Sequence, residues 1–201
     1  MIETIYFILL CFIIYTCVNY INDDVIYINI EGDNFLVRNL NDKMEAAITL
    51  STLKKKLIEL IDNIENNNGN NDNNDNNDNE DNNEYNNYVR KIKNRLKTVK
   101  IRESSPNSTY TSYTVNKGEE MVYCIRSRED NIIHDINELL YVAIHEIAHI
   151  GCPEVGHTEL FKKINIYLLN KAVLYNIYNY KNYNQKNIEY CGMNISSNIL
   201  G

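Results

Sequence analysis

Apolar and polar positions follow a different period in each part of this chain. Residues 4–21, TIYFILLCFIIYTCVNYI, carry no charge and are about as short as a run can be and still cross a ~30 Å hydrocarbon core as a helix. A cleaved leader would want a positive flank and a small-residue cleavage site. Glu3 is the only charged side chain ahead of the run, so an uncleaved anchor over 1–22 is expected, its orientation left open by the scarcity of Lys and Arg nearby. Residues 25–38, VIYINIEGDNFLVR, place β-branched and aromatic side chains on both sides of Gly32-Asp33-Asn34 and predict a strand pair or hairpin. From Asp42 to Ile64, the residues Ala46, Ala47, Leu50, Leu53, Leu57, Leu60, Ile61 and Ile64 recur at three and four, the pattern of a helix buried along one face. Asp42 and Glu45 resemble a capping box at its start.

Residues 63–88 hold fifteen Asn and seven acidic side chains with almost nothing apolar. Such a composition cannot bury enough surface to offset the entropy of ordering, so a disordered insert is expected. A second helix is predicted from Tyr88 to Ile101, with Val89, Ile92, Leu96 and Val99 on one side and Arg90, Lys91, Lys93, Arg95, Lys97 and Lys100 on the other. Residues 109–115 and 121–126 flank the turn-like Asn116-Lys117-Gly118-Glu119 and read as a β-hairpin. A helix from Asp135 to Ile150 follows, capped by Asp135 and Glu138 and ended by Gly151, then a longer one from Thr158 to Tyr178 and a tail through Tyr190-Cys191-Gly192. The implied division is an anchor at 1–22, a strand pair and first helix at 23–62, the insert at 63–88, and a core at 89–201. The implied fold class is α+β, a short, mainly antiparallel sheet packed on three principal helices, plus the N-terminal transmembrane helix.

The formal net charge of −7 disfavours polyanion partners at first sight. The seven acidic residues of 63–88 account for all of it, because the other 175 residues balance 20 basic against 20 acidic side chains. Net charge therefore says nothing against a nucleic-acid partner for the folded part, and the basic helix keeps that reading open.

The sharpest chemical signal is VAIHEIAHIG, in which His145, Glu146 and His149 form H-E-x-x-H. Histidines at i and i+4 stack on one helix face, so both imidazoles can bind one Zn2+. Glu146, one step round the helix, suits a general base acting on a water whose pKa the metal lowers toward ~7. A chain with four histidines makes this motif by accident roughly once in two hundred cases, and here the helix is supported independently by its cap and its apolar stripe. A catalytic zinc takes three protein ligands and keeps a fourth position for water. His157 is the choice for the third, since Gly151, Pro153 and Gly156 can turn the chain back onto the metal helix. Cys152 lies in the tight turn, Glu159 fits a first-turn carboxylate, and His134 reads as a loop residue.

HEIAHIGCPEVGHTELF (145–161) resembles the H-E-x-x-H…G-H-x-x-x-F signature of the WLM and SprT-like zinc metallopeptidases, the minigluzincin type. The preceding hairpin is similar to the one before the metal helix in WLM domains. The order of segments, including DNFLVRNLNDKMEAA (33–47), ESSPNSTYTSYTVNKG (103–118) and the terminal YCG, resembles the membrane-anchored WLM-like proteins of large DNA viruses. The resemblance implies a zinc metallopeptidase with Zn2+ on His145, His149 and His157 and Glu146 in acid/base work, acting on a protein or peptide substrate. The anchor departs from the soluble pattern of the well-known members.

On this reading the protein is a membrane-anchored peptidase in a viral or host membrane, with the bilayer as a partner through residues 4–21 and strand 121–126 as the edge that receives substrate. Tyr123 and Tyr190 are conceivable oxyanion donors and are left out of the site. Two other classes compete: a zinc-stabilised scaffold without catalysis, and a membrane-tethered nucleic-acid binder using the basic helix. Cys11 and Cys17 fall in the apolar run, and Cys124, Cys152 and Cys191 are an odd remainder that predicts no disulfide framework and a reducing compartment. Sequons stand at Asn107 and Asn194.

Overall fold

The computed structural model describes residues 2–22, 25–69, 79–185 and 188–195. Its elements in order are α1 (Ile2–Asn22), β1 (Val25–Ile30), β2 (Asp33–Arg38), α2 (Lys43–Gly69), α3 (Asn79–Leu96), β3 (Lys100–Glu103), β4 (Tyr113–Val115), β5 (Glu120–Tyr123), α4 (Ile136–Gly151), α5 (Glu159–Leu174), β6 (Ile188–Tyr190) and β7 (Met193–Ile195). Among the described residues the fold is mixed α/β, with five helices and a five-stranded sheet in the order β1-β2-β3-β5-β4 beside a small β6-β7 hairpin.

The first hairpin forms as its pattern predicts. β1 and β2 pair antiparallel from Val25↔Arg38 to Ile30↔Asp33, and Glu31 and Gly32 take φ of 51° and 93° in the turn, the left-handed pair that two-residue hairpins need. The sheet is not mainly antiparallel, however. β2–β3 and β3–β5 are parallel, while β1–β2 and β4–β5 are antiparallel. The reason is topological: α2 and α3 carry the chain back over the sheet between β2 and β3, and a helical crossover delivers a parallel neighbour. The expected helix to Ile101 accordingly ends at Leu96, and Lys100–Glu103 is a strand.

α2 lies across β1, β2 and β3 on one side and meets α3 and α4 on the other. Its predicted apolar stripe, Ala46 to Ile64, is buried throughout. Asp42 turns its carboxylate to the buried Arg126, which also holds Glu103 at 2.7 Å, and the guanidinium keeps the Asp42 carboxyl below its usual range. The ends of the Asn/Asp-rich stretch are helical: α2 continues to Gly69 and α3 starts at Asn79. Residues 70–78, the middle of the expected insert, lie outside the described residues. In α3, Lys93 reaches Asp62 at 2.9 Å and Glu65 at 2.5 Å on α2, so part of the predicted basic face is neutralised within the fold.

Among the described residues, no helix is long and apolar enough to cross a membrane. This corrects the transmembrane helix in the expected fold class, and with it the single-pass localisation.

A disulfide joins Cys124, just after β5, to Cys191 in the β6-β7 turn. It overturns the expectation of no disulfide framework, which rests on the odd count of cysteines. Cys152 is the one left over, a buried free thiol. The bridge ties the C-terminal hairpin to the sheet, beside the cleft described next.

Candidate metal centre

α4 forms where its pattern places it. The Asp135 carboxylate accepts from the Asn137 N–H at the N-cap, and Leu139, Leu140, Ala143, Ile144 and Ile147 are buried. Gly151 does not end the helix by a positive φ. It is the last helical residue, and a Cβ there would come within 3.0 Å of Ile92 Cδ1, so its smallness lets α3 approach. α5 is capped by Thr158, whose hydroxyl accepts from the Phe161 N–H, and it ends at Leu174 rather than Tyr178.

The short loop between α4 and α5 brings His157 back onto α4. His157 Nε2 lies 3.0 Å from His145 Nε2 and 3.2 Å from His149 Nε2. One nitrogen from each of the three rings falls within 4.8 Å of the others. Phe161, one turn into α5, backs all three rings: its centroid is 4.1 Å from His149 in a stacked arrangement, 4.9 Å from His145 and 5.0 Å from His157. The buried Asn165 amide sits 3.5 Å from His145 Nδ1, on the far side of that ring. Burial first, and then the neighbouring imidazoles, hold His145 at about 4; burial, His157 and Lys117 hold His149 at about 4. Both rings are therefore neutral, the form in which imidazole ligates metal.

Glu146 is 6% exposed and faces β4. Its Oε2 accepts from Thr114 Oγ1 at 3.0 Å. Burial pushes its carboxyl up to about 7, against the opposing pull of the Thr114 hydrogen bond. Alternation along the strand explains the neighbour: Ser112 and Thr114 point to the site, while Tyr113 turns to Arg102. Ser112 Oγ lies 2.7 Å from Tyr190 Oη, and Tyr190 comes from β6.

These groups line a cleft of about 770 Å³, walled by residues 111–114, which lead into β4, on one side, α4 below, and Val155 to His157 and the β6-β7 hairpin around it. That volume suits a substrate segment. Three imidazoles converging beside a buried carboxylate are also a donor set that fits zinc, which takes three protein ligands at catalytic centres.

The strand on the cleft is β4. β5, expected as the edge, lies inside the sheet between β3 and β4. Tyr123 is buried with its hydroxyl donating to Met121 Sδ, away from the cleft. Tyr190 does line it, and its phenol is pushed up by burial. His134 is outside the triad and packs on Tyr190 at 5.1 Å. Thr114, Ser112, Asn165 and Lys117 join the site without having been expected there. The period-two alternation of 112–114 carries a signal for the first two.

Comparison with known proteins bears on the family. No family model matches the chain. Protein R325 of Acanthamoeba polyphaga mimivirus is 36% identical over 172 residues, covering 86% of this chain and 82% of that one. This chain belongs to the R325 family. Over a shorter stretch the chain is similar to protein 042R of Invertebrate iridescent virus 3, 35% identical over 51% of this chain and 57% of that one. Protein 136R of Invertebrate iridescent virus 6 is 34% identical over 43% of this chain and 46% of its own length. The relatives are viral proteins. Among solved structures, the crystal structure of Wss1 from Saccharomyces cerevisiae is similar at a TM-score of 0.35 and 16% identity, over 44% of this chain and 74% of that one.

Proposed function

We propose that this chain is a zinc-dependent peptidase in which His145, His149 and His157 hold the metal and Glu146 is the general base. The observation that carries the reading is the convergence of three imidazoles beside the buried Glu146 carboxyl, which accepts from Thr114 at 3.0 Å. The H-E-x-x-H motif and its resemblance to WLM and SprT-like metallopeptidases support the same reading.

Zinc held by the three histidines would supply Lewis acidity and lower the pKa of a water. The chain's own residues divide the remaining work. Thr114 holds Glu146 Oε2, which leaves Oε1 to take the proton from water and to pass it to the leaving amine. β4 pairs only with β5 among the described strands, so an extended substrate backbone can add to its outer edge and run along the cleft. Val142, Val155, Met193 and Ile195 offer apolar surface to the substrate's side chains.

The test is zinc content together with proteolysis of an unfolded protein by the full chain. Glu146→Gln should keep stoichiometric zinc and lose activity by about 10²–10⁴-fold. Equal turnover by Glu146→Gln and the wild type would refute the assignment of the base. Zinc bound with no hydrolysis of any unfolded protein by either would favour a scaffold instead.

A further inference from the structure

The turn between β4 and β5 is pressed against the end of α4. Asn116, Lys117 and Gly118 all have left-handed backbones, at φ of 47°, 53° and 94°. A Cβ on Gly118 would come within 2.9 Å of Ile150 Cδ1 and 3.1 Å of Arg95 Cβ, so only glycine permits both the conformation and the contact. The approach puts the Lys117 ammonium among three backbone carbonyls. Nζ donates to His149 O at 3.1 Å, to Cys152 O at 2.7 Å and to Glu154 O at 2.6 Å.

An ammonium has three N–H donors, and here all three are used. His149 O lies in the last turn of α4, where carbonyls lack helical partners and the helix dipole favours a cation. Glu154 O belongs to the exposed loop that delivers His157. Among the described residues, no other hydrogen bond holds the backbone of residues 153–157. The loop needs such a tie, since Val155 is 88% exposed and Gly156, at φ 84°, has nothing within 4 Å of its Cβ position.

We infer that Lys117 is the positioning residue for the third histidine, fixing the α4–α5 loop so that His157 meets His145 and His149. The inference rests on the reading of the triad as a metal site. It gives the β4–β5 hairpin two roles, since Thr114 orients the carboxylate of Glu146 and Lys117, three residues on, orients the loop of His157. A shift of this one hairpin would disturb base and ligand together.

The test uses the full chain with Lys117→Met, Lys117→Arg and His157→Ala. Zinc affinity is read by chelator competition, and the ligand field by the visible spectrum of the Co2+-substituted protein. Lys117→Met should bind zinc about 10–100-fold more weakly, the usual effect of losing an outer-sphere support. Its cobalt spectrum should move toward that of His157→Ala, and Lys117→Arg, which keeps charge and donors, should recover most of the affinity. Should Lys117→Met fail to fold by circular dichroism, Lys117→Gln replaces it, with the same fall expected. Wild-type affinity and spectrum in the folded variant would overturn the inference alone. A wild-type chain that binds neither zinc nor cobalt would overturn the metal-site reading, and this inference with it.

Discussion

Thr114 on the outermost strand of the sheet donates to Oε2 of Glu146 on the metal helix, across 3.0 Å. A hydrogen bond to a carboxylate stabilises its charged form and so lowers its pKa, here against the burial that pushes Glu146 up to about 7. Thr114→Val keeps the shape and removes the donor. The Glu146 pKa should then rise further, so the acidic limb of the kcat/KM profile should move to higher pH. The expected loss is about 3–10-fold on the acidic limb, the effect of a shift of half to one pKa unit, and less on the plateau above it. A profile of kcat/KM against pH for both proteins checks this; an unmoved acidic limb would mean that Thr114 does not tune the base.

The metal-stripped chain should have a characteristic dependence of stability on pH. His145 and His149 are held at about 4, below the ordinary 6.5, so below pH 6.5 the unfolded chain binds two protons that the folded chain refuses. Glu146, pushed from 4.5 to about 7, does the reverse and binds a proton only when folded. Between these limits the three groups leave the unfolded state about one proton ahead, and stability falls as pH falls, by up to about 1.4 kcal/mol per unit. Glu146→Gln removes the opposing group, so the slope should roughly double. Denaturant midpoints of both proteins across ~pH 4.5–6.5 read it directly.

Much of this arrangement is legible in the amino-acid pattern, for reasons that also say where legibility stops. The hairpin at 25–38, the buried face of α2 and the capped helix at 135–150 all rest on local periodicity, and so does the pairing of His145 with His149 at i and i+4. The return of His157 needs only a short, glycine-containing turn. β3 escapes the pattern because Lys-Ile-Arg-Glu continues a basic helical run and becomes a strand only when β2 and β5 flank it. The edge strand escapes it too, because strand order is a tertiary property: β4 follows β3 in the chain, but β5 takes the place beside it. Lys117 looks like an ordinary turn residue until the end of α4 is brought beneath it.

The Cys124–Cys191 bridge closes a separation of 67 residues and should contribute about 2–4 kcal/mol. It also anchors the hairpin whose Tyr190, Met193 and Asn194 wall the cleft. Cys191→Ser, or a dithiol reductant, should therefore lower the melting temperature by several degrees and raise KM more than it lowers kcat, since the base and the three histidines lie outside the hairpin. Melting curves with and without reductant, paired with steady-state kinetics, would show it. An unchanged melting temperature would mean that the bridge is absent or energetically idle.

Asn165 offers the last prediction, because its position is otherwise hard to explain. It is a polar side chain only 3% exposed, on a helix face lined by Phe161, Ile164, Leu168 and Leu169. A buried amide costs stability unless it is hydrogen-bonded, and the group it approaches is Nδ1 of His145 at 3.5 Å. Turned so that its oxygen rather than its nitrogen faces the ring, the amide accepts from Nδ1–H, which keeps the ring proton off Nε2, the nitrogen facing His157, and leaves it free to ligate. Asn165→Leu should thus weaken zinc binding by about 10–100-fold while leaving the metal-free fold as stable or more so, because an apolar side chain replaces a poorly paired amide. That opposite movement of metal affinity and metal-free stability separates a support for His145 from a packing residue, whose loss would lower both. Calorimetric zinc titration and melting of the stripped protein distinguish the two outcomes.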